Sequence, residues 1–524
     1  MAYNFRNRNL LNTRGAYLGS SGSDSESQDD SDPDFLTPSR TPRRSTQNNT
    51  ARAGGVSSSR NLSGKRARSN GEEHRRGLRE RHRRRRRRRR RRFSQVPQAQ
   101  ISRRTVLSWL IGLGVIEENE VVWYVAAQSG NILGEGKVNR EGILCSCCSG
   151  QLTVEEFEVH SGRKTRKPYQ HIYLAGSQVS LLDCQIEAWE DKEEEERHKC
   201  NNIQPASKAV DRNDDACMIC ADGGDLICCE RCPSTFHPRC IFMEIIPQGD
   251  WLCPYCICKY CGNGNGNGLL MQCSQCEKQY HFRCGGEPLD LMNRPVAFCG
   301  SSCRKIYEGL HNLLGSQNEL HDGLTWTLLQ CTDEPFTGSY GEEEYKRIQC
   351  NSKIAVAWLV MNECFLSTID RHTRANIVQS IVYNRGSNVT RINYSGFYTA
   401  ILEKNDEIIS VASIRVHGKR LAEMPFIGTR GEYRRLGMAY VLENCIESTL
   451  CSLKVEKLVI PSVSQLTGMW MDKYFFSRVQ EERLVKELSL YNTVMFPSSV
   501  VRLHKNLAML PDLNLSPQEN EGHF

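Results

Sequence analysis

Cysteines two residues apart, interleaved with histidines, crowd the middle of this 524-residue chain. The pairs run Cys217/Cys220, Cys229/Cys232, His237/Cys240 and Cys253/Cys256. A second series follows at once with Cys258/Cys261, Cys273/Cys276, His281/Cys284 and Cys299/Cys303. A two-residue gap lets one tight turn aim two soft donors at one ion, and structural zinc takes four such donors in a tetrahedron. Fourteen cysteines and two histidines make four complete sets, which predicts four Zn2+ ions and leaves Cys228 as the unassigned thiol of the stretch. A disulfide framework is the rival reading, but it has no use for two-residue gaps or for histidines so placed. Of 25 cysteines, 15 fall between Cys217 and Cys303, the usage expected of metal ligands in a reducing compartment. Modules this small bury little apolar surface, so metal supplies much of their folding energy.

The run Cys217-Met-Ile-Cys-Ala-Asp-Gly-Gly-Asp-Leu-Ile-Cys-Cys-Glu-Arg-Cys-Pro-Ser-Thr-Phe-His237, closed by Gly249-Asp-Trp-Leu-Cys-Pro-Tyr-Cys256, resembles the PHD finger. The resemblance implies cross-bracing over 214–257, the first pair joining the third and the second joining the fourth. It also implies that a histone N-terminus adds as a strand beside Asp225 to Cys228, backbone bonds giving affinity and side-chain pockets giving choice. Leu226 and Thr235 stand where readers of methylated lysine carry aromatic cage residues. Asp215 and Glu230 resemble the acidic residues with which related fingers grip unmodified lysine, and Asp225 with Leu226 opens the accepting strand. A finger kept for folding or for protein contacts is the alternative. Residues 258–305 look like a second PHD-type finger, although its last gap is three residues, its first loop holds the Gly262 to Gly268 repeat, and the tryptophan before its last pair is missing.

These ligands sit within a modular chain. The hydrophobic fraction of 39% lies below the roughly 45 to 50% of globular domains. Residues 1–100 lack apolar periodicity and read as disordered. They hold an arginine run from Arg83 to Arg92, which reads as a nuclear import signal, as a nonspecific, salt-dependent contact with nucleic acid, or as a solvated tail. The longest apolar stretch, Val106 to Ile116, is far too short to cross a bilayer, so the expectation is a soluble intracellular protein with no membrane partner.

Apolar runs from Thr105 predict a small α+β domain over 101–187, and residues 188–213 form a charged linker. Glu141-Gly-Ile-Leu-Cys-Ser-Cys-Cys148 with Phe157-Glu-Val-His160 resembles the tify-binding domain of plant nuclear regulators and, more loosely, the SAND domain. Cys145, Cys148 and His160 could be further metal ligands. A fourth partner is not obvious, Cys184 being distant, and buried thiols are the alternative.

Strand character at Gly396–Leu402, Glu407–Val416 and Leu421–Ile427, a helix over Arg435–Cys451 and a strand at Lys457–Pro461 predict an α/β domain over 320–505. The turn Arg434-Arg435-Leu436-Gly437-Met438-Ala439 matches the Arg/Gln-x-x-Gly-x-Gly/Ala signature of GNAT acyltransferases. It stands between a strand and a helix, where backbone N–H groups can hold a pyrophosphate. From about residue 101 onward the chain resembles the plant PHD-finger histone acetyltransferase family typified by the increased-DNA-methylation protein. That resemblance implies acetyl-CoA bound by Phe426, Ile427 and the turn. It implies Glu423 as the base that takes the proton of a lysine amine, its pKa raised toward neutrality among Leu421, Met424 and Phe426. Backbone N–H groups near Ile427 would steady the oxyanion. Tyr474 would supply the acid for the leaving thiolate. Packing is the alternative for Tyr474, and a structural carboxylate facing its own helix or an arginine is the alternative for Glu423. Residues 506–524 carry Asp512-Leu-Asn-Leu-Ser-Pro517, which resembles an EAR-type motif that a corepressor binds.

The sequence thus reads as a multidomain nuclear chromatin regulator: a basic disordered N-terminus, a tify-binding-like or SAND-like α+β domain, tandem zinc-bound fingers and a GNAT acyltransferase fold. A non-catalytic adaptor with a degenerate GNAT domain is the second reading.

Overall fold

A computed structural model describes residues 5–6 (backbone), 103–190 and 212–507, with breaks at 265–267, 286–295, 333, 335, 337, 339–340, 367 and 495–499. The arginine run, most of the charged linker and the EAR-like motif lie outside the described residues.

Strand β1 (Phe5–Arg6) belongs to the first finger's sheet, described below. The tify-binding-like domain starts at α1 (Val106–Gly112), whose N-cap Thr105 accepts a bond from Ser108 N. Strands β2 (Val121–Val125), β3 (Ile132–Asn139), β4 (Gly142–Cys145), β5 (Gln151–Leu152) and β6 (Ile172–Leu174) form an antiparallel sheet in the order β5-β4-β3-β2-β6. Helices α2 (Val154–His160), α3 (Pro168–His171) and α4 (Leu181–Glu190) complete the domain. Inward Val122 and Tyr124 alternate with less buried neighbours along β2, the pattern of a strand with one covered face. Its core, with Leu110, Phe157 and Leu182, runs on into that of the C-terminal domain.

Each finger carries a two-strand hairpin: β7 (Leu226–Cys228) with β8 (Thr235–Phe236), and β9 (Leu270–Gln272) with β10 (Gln279–His281). On the other edge of β7 lies β1, antiparallel, Phe5 opposite Ile227 and Arg6 opposite Leu226. Cys228 is buried in β7. Helix α5 (Ser301–Leu313) leaves the second finger carrying its last ligand, Cys303, and then buries Ile306 and Leu310 beneath the large sheet. Cys299 stands just before the helix and Cys303 in its first turn, so the three-residue gap bridges the start of α5.

That sheet has eight strands: β11 (Asn318–Glu319), β12 (Leu324–Leu329), β13 (Phe397–Lys404), β14 (Glu407–Val416), β15 (Ala422–Thr429), β16 (Lys457–Val463), β17 (Ser477–Arg478) and β18 (Val500–Asn506). Their order is β11-β12-β13-β14-β15-β16-β18-β17. Helices α6 (Glu342–Cys364) and α7 (Ile377–Val382) bury side chains with one core. Helices α8 (Met438–Ser452) and α9 (Ser464–Tyr474) join α5 in the other, and α10 (Glu482–Leu488) packs Leu484 and Leu488 on Leu421 and Val459. Every residue of β14 is buried, as a central strand covered on both faces requires. The strands and helix expected from the sequence are present within a few residues of the expected bounds, and Asn405 and Asp406, at φ 51° and 62°, make the hairpin turn between β13 and β14.

Arg391 ties the first finger to this domain. Its guanidinium binds Asp214 at 2.7 and 3.2 Å and Asp370 at 2.5 Å, with all three side chains buried. Burial alone would raise the Asp370 carboxyl, but Arg391 holds it below the usual range. Arg391→Ala would strand two buried carboxylates, so we expect a loss of about 3 to 5 kcal/mol in denaturant unfolding, and faster proteolysis between finger and sheet.

Candidate metal centres and cofactor site

The structure gathers the sixteen predicted ligands into four sets: Cys217, Cys220, His237, Cys240; Cys229, Cys232, Cys253, Cys256; Cys258, Cys261, His281, Cys284; and Cys273, Cys276, Cys299, Cys303. First pair joins third and second joins fourth in each finger. Donor atoms within a set lie within 4.8 Å of one another. Sulfur separations of 3.6 Å for Cys232/Cys253, 3.7 Å for Cys276/Cys299 and 3.6 Å for Cys299/Cys303 match the edge of about 3.7 Å that a tetrahedron with Zn–S near 2.3 Å demands. They far exceed a disulfide bond of about 2.05 Å. Nδ1 of His237 faces Cys220 at 3.3 Å and Cys240 at 3.8 Å, while Nε2 meets the Gly223 carbonyl at 3.1 Å. A metal on Nδ1 leaves Nε2 as donor, so that carbonyl sets the tautomer. Backbone N–H groups of His237, Cys253 and His281 donate to Cys217, Cys229 and Cys258 at 3.3 to 3.4 Å, stabilising thiolates. These sets fit zinc.

On the first finger, Asp215 and Asp225 are exposed at the hairpin's surface, Leu226 is buried, and Glu230 is half-buried with its N–H bonded to the Trp251 carbonyl. Thr235 is buried, its hydroxyl donating to the Ala216 carbonyl at 2.7 Å.

In the C-terminal domain, β15 pairs in parallel with β16 only at Ala422/Leu458 and Glu423/Val459. Beyond Glu423 the two strands part, so Phe426 and Ile427 border a wedge along the edge of β15 that β14 leaves uncovered. The chain then turns through Arg434, whose Nε donates to the Thr429 carbonyl at 2.9 Å. Arg435 and Gly437 take positive φ of 65° and 80°, and Gly437 starts α8 with no side-chain cap and no acid in the first turn. The first N–H groups of a fifteen-residue helix are thus offered outward beside the wedge, which suits a pyrophosphate. Leu436 and Tyr440 are exposed next to them. Glu407, which the sequence reading passed over, anchors the approach to this turn: Arg430 pairs with it and Tyr433 donates to it at 3.0 Å.

Glu423 is buried and fully engaged. It accepts from Arg415 Nε at 2.7 Å, His417 Nε2 at 2.9 Å and Val494 N at 2.9 Å. The expected rise of its pKa toward neutrality is reversed. Burial pushes the carboxyl up, but the Arg415 charge and the His417 bond outweigh it and hold the group at about 2. Arg415 sits directly opposite Glu423 across β14 and β15, a pairing that strand register would have disclosed. His417 lines a cavity of about 220 Å³ that Tyr255 and Cys256 of the first finger, Glu277 and Lys278 of the second, and Asn393 also border. Tyr474 packs on Trp470 and Tyr440 at centroid distances of 4.5 and 5.7 Å, next to the first turn of α8, and burial raises its hydroxyl pKa.

Three family models match the chain: the tify domain binding domain over residues 136–188, the PHD-finger over 217–256, and the Increased DNA methylation 1 C-terminal domain over 365–506. Increased DNA methylation 1 of Arabidopsis thaliana is 38% identical over 404 residues, which cover 76% of this chain and 34% of that protein. This chain spans about a third of that relative's length. The E3 ubiquitin-protein ligase TRIM33 of Mus musculus is 48% identical over 52 residues, 10% of this chain and 5% of that one. Among solved structures, Tetrahymena GCN5 is 12% identical, covering 36% of this chain and 98% of its own, with a TM-score of 0.26. The ribosomal-protein-S18-alanine N-acetyltransferase of Escherichia coli is 10% identical, covering 36% and 99%, with a TM-score of 0.23. Over three quarters of its length the chain is thus similar to Increased DNA methylation 1, and matches to a tify-binding domain, a PHD finger and that family's C-terminal domain follow one another along it.

Proposed function

We propose that this protein is a nuclear chromatin regulator that reads a histone tail with its first finger and transfers acetyl from acetyl-CoA to a histone lysine. The observation that carries the reading is the uncapped start of α8 at Gly437 beside the parting of β15 and β16. Phe426, Ile427 and the turn from Arg434 to Ala439 would hold the cofactor, which supplies the acetyl group. Four zinc ions would brace the fingers. Asp225 and Leu226 would present the edge for the tail, and Asp215 and Glu230 would meet an unmodified lysine. A reader of modest affinity raises the local concentration of the tail at the transferase without new contacts there. The arginine run would serve nuclear import and nonspecific nucleic-acid contact, and the C-terminal motif a corepressor.

Glu423, saturated by its donors, would act on the acceptor amine through His417, with Tyr474 at the leaving thiolate. Burial lowers the His417 pKa below its ordinary value, so the imidazole is neutral near pH 7 and able to take a proton. The same saturation favours the second reading, a non-catalytic adaptor in which Glu423 is purely structural.

Calorimetry with acetyl-CoA, and label transfer to histone peptides, test the proposal on the full chain. Leu436→Glu places a carboxylate in the exposed turn, so acetyl-CoA affinity should fall at least tenfold, about 1.4 kcal/mol, while the melting temperature stays unchanged. Absence of both acetyl-CoA binding and transfer in the wild type leaves the adaptor.

A further inference from the structure

A fifth set of soft donors converges outside the fingers. Cys145 ends β4, buried. Cys147 and Cys148 follow on the exposed turn, and His160, exposed, closes α2. Sγ of Cys147 lies 3.2 Å from Sγ of Cys145 and 3.0 Å from Nε2 of His160. All four donor atoms fall within 4.8 Å of one another. The fourth partner not evident in the sequence is therefore Cys147, hidden inside the two-residue gap of Cys145/Cys148.

The local backbone is shaped for this convergence. Cys145 N donates to the Gly150 carbonyl and Ser149 N to the Cys145 carbonyl, each at 2.9 Å, closing a tight loop around the thiols. Ser149 takes a φ of 56° to do so. At Gly150 a Cβ would stand 3.2 Å from the Cys148 sulfur, so the missing side chain makes room for that thiol. Helix α2 is fixed from its other end by a capping box between Thr153 and Glu156, which holds His160 at the last turn. Exposed side chains from a loop and a separate helix gain nothing from burial by meeting at one point, and three thiols with one imidazole form a structural zinc set.

We propose that Cys145, Cys147, Cys148 and His160 bind a fifth divalent zinc ion, which staples the β4–β5 turn to the C-terminus of α2. Zinc binding displaces the thiol protons to solvent, and no oxidation step is involved. The inference does not depend on acetyl transfer or on histone binding.

Native mass spectrometry of the full chain, purified under reducing conditions with zinc, tests it. The wild type should carry five zinc ions and the Cys147→Ser/Cys148→Ser double variant four. Both thiols are exposed, so the double variant keeps its packing. His160→Asn, which keeps every thiol, should release one ion at a chelator concentration at least tenfold below that needed for the fingers. In the Co2+-loaded protein, the wild-type minus variant spectrum should show the d–d bands of a tetrahedral three-sulfur, one-nitrogen site. Four ions in the wild type, five retained in the double variant, or a mass deficit of a disulfide at these cysteines would overturn the proposal.

Discussion

Stripping zinc from the intact chain should unfold residues 217–303 and lower the melting temperature of the large sheet with them. Zinc in small finger modules contributes about 10 to 16 kcal/mol of apparent binding energy, which is folding energy where no preformed site survives without it. The fingers here bury only small cores of their own. Loss should spread, because Cys303 sits in the helix that also buries Ile306 and Leu310 under the sheet, and Gln275 donates to the Val416 carbonyl at 2.7 Å. Amide exchange during chelation should show residues 301–313 losing protection together with the fingers, and restored zinc should reverse it. An unchanged transition for the sheet would mean the fingers are independent appendages.

Glu423→Gln should cost about 3 to 5 kcal/mol of stability, because it leaves the buried Arg415 without its counter-charge. Any loss of acetyl transfer in that variant has to be read against its melting curve. The sign of the pH dependence follows from the direction of the shift. The native carboxyl titrates at about 2 against an ordinary 4.5, so its contribution is whole above 4.5 and is lost as pH falls toward 2. Wild-type and variant stabilities should converge over that window. A gap that persists at pH 2 would show that the loss comes from packing rather than charge.

Much of this was legible because metal ligands advertise themselves through spacing that survives without tertiary knowledge. The turn proposed to hold the cofactor was legible for a related reason: Gly437 at positive φ and a helix start are local requirements. What escaped was pairing at a distance. Arg391 and Asp214 stand 177 positions apart, and no local pattern connects them. Arg415 and His417 lie only eight and six positions from Glu423, yet the register shift in the β14–β15 ladder decides that they meet its carboxylate. An apolar sequence neighbourhood therefore suggested a raised pKa where the cross-strand partners impose a lowered one. Cys147 was overlooked because Cys145 and Cys148 already satisfied the two-residue rule.

The strand Phe5–Arg6 on the outer edge of Leu226–Cys228 makes the chain its own competitor in the reading proposed for the first finger. An incoming peptide must first peel that strand away, so apparent affinity is reduced by the fraction of molecules whose edge is covered. Removing residues 1–9 should therefore tighten binding of an unmodified histone peptide several-fold in calorimetry, and adding those nine residues back as a free peptide should compete weakly. Engagement with chromatin then becomes a contest between two strands for one edge, and whatever holds the N-terminus elsewhere would act as the switch.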